Sequence, residues 1–482
     1  MKADRSWAAY RSTYRAREIK IISGWIRSGE SGSVVGLSGC GRANLLGFLC
    51  HRPDVVRSYL PPQFHSVALI PVDLNILPAN NLATLYRLIL RAFHRVYEQF
   101  DLPLQQQVVH LYETTRAERD PFLVQSALQE LLWLCQKQQT RIVLVINRFD
   151  RFFEMATPHM VNTLRALRDD FKMILSYVVG LPQEVAYLPD PAAVGDMYEL
   201  LDNYICWVGA MNEADSRQMI DEELQLSSQS PTETDLQTIL ELTGGYPALV
   251  KAACSWWLTV EEKPDYGQWS TTLLTQRSIQ YRLARVWTGL TQEEQYIVSE
   301  LQRLQPSGSS SLDRDRISFK SNLDDFEQAR RDFGRQYGDR LTQLEAKGIC
   351  CHAETGWRIA AGLLAQYLAN LKKRGRGRIW QHETTGEIYQ GQTLVEGLTN
   401  LERAVLCFLI DNPYSRHTKT DLIINTWPDE LRKQGVTDNS LYQVIFSLRQ
   451  VVEPAPGKPA YLVTWRGKPE GGYQFFSEGR PS

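Results

Sequence analysis

The chain has 482 residues, more than one hydrophobic core organises, so about three domains are expected. Its 43% apolar and 22% charged residues exclude a disordered or fibrous chain, and a formal net charge of −2 excludes a global positive field that would draw it onto nucleic acid or an anionic membrane. Among its eight cysteines there is no C-x-x-C pair, so buried reduced thiols are expected and a paired-cysteine zinc site is not.

The N-terminal MKADRSWAAYRSTYRAREIK is charged and amphipathic, without the apolar stretch of a signal peptide, and no later run is long enough to span a bilayer. A cytoplasmic protein without a membrane partner is expected. Four short apolar strands then alternate with helical patterns: SVVG (Ser33 to Gly36), VALIPVDL (Val67 to Leu74), IVLVI (Ile142 to Ile146) and MILSYVV (Met173 to Val179). The helices lie over Leu82 to Phe100, over Phe122 to Gln136 and from Pro158 onward. That alternation predicts a parallel sheet covered on both faces over residues 1–205.

After Cys206 helical patterns dominate (Glu213 to Leu224, Glu233 to Leu242, Tyr246 to Leu258), which implies a helical lid over 206–268. Over 269–371 a helix from Leu290 to Leu304, another at Leu341 to Lys347 and the pair ICCHAE/GWRIAA about Thr355-Gly356 describe a winged helix. His352 beside Cys350 and Cys351 reads as wing packing. The basic KKRGRGR (372–378) reads as a linker, and 379–482 as a second winged-helix domain.

The segment GLSGCGRAN places Gly36 and Gly41 at the spacing of a phosphate-binding loop between a strand and a helix. Such glycines let successive N–H groups converge on phosphate oxygens while the following helix adds its partial positive charge. Gly36, Ser38, Gly39, Cys40, Gly41, Arg42, Ala43 and Asn44 are therefore the candidate nucleotide residues, with ATP or ADP as ligand. Arg42 stands where the motif has Lys, keeping the charge in a wider planar fork. Ala43 stands where it has Ser or Thr and offers no oxygen to magnesium. The strand IVLVI ends in Asn147, not in the carboxylate that positions a metal. Asp150 and Glu154 lie just beyond, able to compensate or simply to solvate the strand end. Mg²⁺ binding and hydrolysis are expected to be weak or absent, and no other metal site is expected.

On those residues the first half resembles the STAND class of signal-transducing P-loop ATPases within the AAA grouping. Gly36, Leu37, Ser38, Gly39, Gly41, Asn44, Leu45 and Leu46 match, as do the approach YRAREIKII and the strand-end phrase NRFDRF. GGYPALV (Gly244 to Val250) is similar to the lid signature whose proline approaches the nucleotide; by that likeness Pro247 faces the base or ribose, and otherwise it is a helix-start proline.

The tail resembles the OmpR/PhoB-like response-regulator winged helix in LTNLERAVLCFL, NPYSRHTKTDLIINTWP, VTDNSLYQVIFSLRQVVEP and YLVTWRGKPEGGYQFF. In the recognition-helix phrase, Leu441, Val444, Ile445 and Leu448 share an inward face and leave Ser440, Gln443, Ser447 and Gln450 for base edges, with Asp438 at the N-cap. Arg449 is that helix's cation, and Lys419, Arg466, Lys468 and the basic linker would anchor phosphates.

Three functions compete on the sequence. One is a nucleotide-binding switch acting as a DNA-binding transcription regulator. Another is a nucleotide-dead adaptor whose winged helix docks protein partners, as in a defence or mobile-element system. The third is an active AAA-type ATPase acting on DNA, like the archaeal origin-recognition ATPases. Self-assembly is compatible with all three.

Overall fold

A computed structural model describes residues 7–62, 66–188, 190–225, 230–304, 328, 331–353, 356–373, 377–382, 385–391, 393–429, 436–454, 456–467 and 470–480. The chain divides into two compact units, residues 1–364 and 365–482.

Five strands form the sheet of the first unit: β1 (Gly32–Val35), β2 (Val67–Val72), β3 (Arg141–Ile146), β4 (Leu175–Leu181) and β5 (Ile205–Trp207). All pair in parallel in the order β2-β3-β4-β1-β5. Every residue of β1 and β4 is buried, because apolar helical faces cover both sides and leave no face for an alternating pattern. The helices are α1 (Ala16–Ser28), α2 (Arg42–His51), α3 (Pro53–Ser58), α4 (Leu82–Arg95), α5 (Leu102–Thr115), α6 (Pro121–Lys137), α7 (Phe149–Met155), α8 (Pro158–Asp170) and α9 (Met197–Asp202). Asn81, Asp101, Asp120 and Thr157 cap α4, α5, α6 and α8 through their side chains, so these starts are written locally.

Some boundaries differ from the pattern. The fourth strand starts at Leu175, not Met173, whose side chain is exposed. The helix from Leu82 stops at Arg95, and a 3₁₀ turn at Tyr97–Gln99 precedes α5, which the sequence pattern did not separate. The alternation also runs one strand further than expected, since β5 pairs with β1.

Beyond the sheet come α10 (Glu213–Leu224), α11 (Glu233–Thr243) and α12 (Pro247–Thr259), then α13 (Tyr266–Thr275) and α14 (Arg277–Thr288). Next, α15 (Gln292–Arg303) opens with a Thr291/Glu294 capping box, and α16 (Gly338–Ala346) leads into the antiparallel hairpin β6 (Cys350–Ala353) and β7 (Gly356–Ile359). Thr355 lies outside the described residues, and His352 packs edge-on against Trp357 in the hairpin. Helix α17 (Gly362–Lys373) carries the chain onward, so the first two residues of the expected linker complete a helix; residues 374–376 lie outside the described residues.

The second unit contains a small sheet of β8 (Ile379–Gln381), β9 (Ile388–Gln390) and β10 (Thr393–Leu394), then α18 (Asn400–Asp411), β11 (Arg416–Thr418), α19 (Lys419–Thr426), α20 (Asp438–Val452), β12 (Leu462–Trp465) and β13 (Gly472–Phe475). The last sheet is antiparallel in the order β11-β13-β12. Leu441, Val444, Ile445 and Leu448 join Val405, Leu406, Leu409 and Phe475 in one core, as the helical spacing requires. Buried Glu453 accepts from the backbone N–H groups of Ala460, Tyr461 and Leu462 and fixes where β12 begins. No helix of the described residues is long and apolar enough to cross a membrane.

Candidate nucleotide site and nucleic-acid interface

The glycine loop sits at the carboxyl end of β1, where the strand order places ligands in an open α/β sheet. Gly39 (φ +87°) and Gly41 (φ +88°) take left-handed conformations that a side chain disfavours, and Gly41 is the N-cap of α2. Ser38, Gly39 and Ala43 are exposed, so the rim of the loop and the helix start are open to an anion. Cys40 turns inward, buried, and its Sγ lies where a Cβ on Gly36 would meet it at 2.5 Å. Arg42 donates from Nη1 to the carbonyl of Gly36 (3.2 Å). Its guanidinium is desolvated, which lowers its pKa, with Cys40 and Asp150 opposing. A half-buried cation at the start of α2, beside backbone N–H groups, is suited to receive phosphate.

The metal side of the loop is different. Ala43 has no oxygen ligand, and Asn147 spends its Oδ1 on the N–H of Arg148 (2.9 Å), which is held at φ +55°. Asn147 Oδ1 and Arg42 Nε both crowd the Cβ position of Gly180, at 2.8 and 3.3 Å, so the glycine at the end of β4 lets them converge. Burial pushes the Asp150 carboxyl above its ordinary range while the charge of Arg42 pulls it down. A cavity of about 600 Å³ opens here, lined by Ala43, Asp73, Asn75, Arg95, Asn147 and Arg148 among others. Its lone carboxylate is Asp73, whose Oδ1 accepts from the N–H and Nδ2 of Asn75, so the lining offers one carboxylate where a hard divalent ion takes roughly six or more oxygens. Among the described residues no group of three or more His, Cys, Asp or Glu could hold a metal.

Two contacts behind the loop escape any motif. Arg15, 2% exposed and itself at φ +51°, donates from Nη2 to Cys40 O (2.7 Å) and from Nη1 to Gly209 O and Ala210 O (3.0 Å each), while its backbone N–H reaches Asp215 Oδ2 (3.0 Å). One side chain thereby ties the N-terminal segment, the phosphate loop and the exit of β5. From the lid, Tyr246 donates its hydroxyl to Ser38 O (3.0 Å) and Ala248 donates its N–H to Gly39 O (3.1 Å). Pro247 opens α12 and packs 3.4 Å from the Cβ position of Gly41, beside Arg15. The lid helix thus rests on the loop, and Asn44 lies half-buried at the start of α2.

In the second unit, Ser440, Gln443 and Gln450 are exposed on α20 and Ser447 is half-buried. Thr437, not Asp438, is the N-cap; Asp438 is the first helical residue and ion-pairs with Lys419 (2.6 Å). That bond raises the Lys419 pKa, and its ammonium also lies 4.9 Å from the Tyr442 ring centroid. Arg449 does not point outward: its guanidinium donates to Leu462 O (3.0 and 2.7 Å) and Thr464 Oγ1 (2.8 Å), bracing helix against wing. Arg466 is exposed in the wing, and Lys468 lies outside the described residues. The exposed aromatics Tyr442 and Phe446 lie on the same helix; their spacing of four was visible, but the outward polar set drew the reading away from them.

Residues 394–475 match the family model described as transcriptional regulatory protein, C terminal. The tail is therefore a transcription-regulator-type winged helix, a fold that reads DNA from helix and wing. No curated protein matches the chain significantly. Solved structures similar to it include a Walker-type ATPase of Pyrococcus abyssi (14% identity, TM-score 0.40, covering 74% of this chain and 95% of that one). Others are an ORC2 protein of Aeropyrum pernix in ADPNP–ADP complexes (12%, 0.36, 74% and 93%) and Cdc6p of Pyrobaculum aerophilum (14%, 0.32, 76% and 97%).

Proposed function

We propose that this chain is a DNA-binding regulator whose α/β module holds ATP or ADP as a ligand that sets its state, not as fuel. The observation that carries the reading is Arg42, bonded to Gly36 O in an intact glycine loop whose metal positions are Ala43 and Asn147. Gly36, Ser38 to Ala43 and the start of α2 would hold the phosphates, and Pro247 would border the base and ribose. A switch needs a ligand that binds two arrangements unequally, and hydrolysis is not required. The lid bonds to Ser38 and Gly39 supply an element that such a ligand could bias. The likeness of the loop, lid and strand-end phrases to STAND ATPases supports a signalling role of this kind, in the cytoplasm.

The test is titration of duplex DNA with the full chain, with and without saturating ADP or ATP. A shift in affinity of about 5- to 150-fold is expected, the usual size of a coupling between two sites. Identical DNA affinity in every nucleotide condition would defeat the regulator reading. Replacing exposed Arg466 by alanine is expected to weaken binding to all sequences alike and to reduce the salt slope by about one, measured by anisotropy at several salt concentrations.

One arrangement favours a second reading. Lys419 is committed to Asp438 and Arg449 to the wing, while Tyr442 and Phe446 are exposed on α20. A face whose neighbouring cations are engaged within the domain and whose aromatics point outward suits a protein partner, and the tail would then act as an adaptor. In that case the Arg466 substitution leaves function intact and Phe446→Ser abolishes it.

A further inference from the structure

Lys347, where the chain leaves α16, is 3% exposed. Its ammonium lies 2.5 Å from Glu294 Oε1, 3.6 Å from Glu184 Oε1 and 4.3 Å from the Trp207 ring centroid. These partners come from separate parts of the first unit. Glu184 follows β4 and Trp207 ends β5, both in the α/β core, whereas Glu294 stands in the first turn of α15. Gln343 of α16 adds a hydrogen bond to Glu184 Oε1 (3.0 Å). Alongside, the backbones of Gly209 and Gly348 touch without side chains between them, since a Cβ on Gly209 would fall 2.4 Å from Gly348 N. The Glu293–Arg340 pair (3.1 Å) closes the outer edge.

Two carboxylates meet one ammonium in this cluster, so it carries a surplus negative charge away from water. Burial pushes the Glu184 carboxyl above the usual range; Lys347 draws it down and Glu294 pushes it up again. Glu184 Oε2 has no hydrogen-bond partner among the described residues. Strength alone does not call for that charge, because an apolar filling of the same shape is often as stable or more so. A joint that must hold and release needs an attraction concentrated in one group and a standing cost that opposes it.

We propose that Lys347 is a latch: its ammonium holds the α15–α16–hairpin segment closed against the α/β core, and the segment leaves the core as a body when this cluster is broken. The surplus carboxylate of Glu184 keeps the closed arrangement marginal, so that a modest input opens it. This goes beyond the nucleotide reading and stands without it, because opening itself can be measured in the absence of any nucleotide.

The test is hydrogen–deuterium exchange on the full-length protein, on Lys347→Met and on Glu184→Gln, with peptides covering β2 and β3 as the control for folding. Lys347→Met, which leaves two buried carboxylates facing each other, is expected to raise exchange in residues 290–304 and 338–353 about a hundredfold and to leave the control strands unchanged. Glu184→Gln, which removes the surplus charge and keeps an acceptor for Gln343, is expected to slow exchange in those same segments below the wild type. The proposal is overturned if Lys347→Met changes nothing there or speeds the control strands as well, which would mark plain structural cement. It is overturned equally if Glu184→Gln exchanges as fast as the wild type or faster.

Discussion

Gly39→Ala is expected to lift the lid off the phosphate loop. Gly39 stands at φ +87°, a conformation that costs an L side chain on the order of 1–2 kcal/mol. The added methyl would also meet Ala248 Cβ at 2.6 Å, closer than side-chain carbons approach, and that atom is a methyl at the start of α12 that no rotamer change can move. The cheapest relief is to withdraw α12, which breaks the Ala248 N–H bond to Gly39 O and draws Tyr246 from Ser38 O. Tyr246, whose burial holds its phenol well above the ordinary value, would then meet water. Its fluorescence quenching and hydrogen exchange in residues 246–250 should both rise, with β2 and β3 unaffected. Unchanged exchange at 246–250 would show that the lid does not rest on the loop.

The second large effect is expected at Arg15. Truncating it to alanine leaves the carbonyls of Cys40, Gly209 and Ala210 without their donor in a dry region, and hydrogen bonds to a charged group are worth about 1.5–3 kcal/mol each. No left-handed strain is relieved, since alanine at φ +51° is strained too. A net loss of about 4–5 kcal/mol in the first unit, the low end for three such bonds, is therefore expected, read from the urea midpoint. Arg15→Lys should recover little, because a single ammonium cannot span carbonyls on two sides of the loop. A midpoint unmoved by Arg15→Ala would show that the segment before α1 is not part of the site's foundation.

How far the sequence carried this picture depended on whether the information was local. The β1–loop–α2 unit was legible because glycines at fixed spacing and an apolar strand act within a dozen residues, and so was the inward face of α20, with Leu441, Val444, Ile445 and Leu448 all buried. The fifth strand was not, since Ile205–Trp207 is three residues long and earns its place by pairing with β1. Arg15 was invisible as a site residue for the same reason: its partners lie 25 to 200 positions away. Residue type marks Arg449 and Lys419 as cations for phosphate but does not show the acceptors, Leu462 O and Asp438, that engage them. Residue type favours Asp438 as the cap, whereas the helix starts at Asp438 with Thr437 as its N-cap, and the Asp438 carboxylate pairs with Lys419.

The central claim is that the loop holds nucleotide phosphates without a divalent ion, and isothermal calorimetry of the full chain against ADP and ATP tests it directly. The account predicts saturable heat of the same affinity in EDTA and in magnesium, weakened about 10- to 100-fold by Arg42→Ala, as loss of a charged hydrogen-bond donor implies. Absence of binding at millimolar nucleotide, or binding that appears only with magnesium and survives the loss of Arg42, would contradict it.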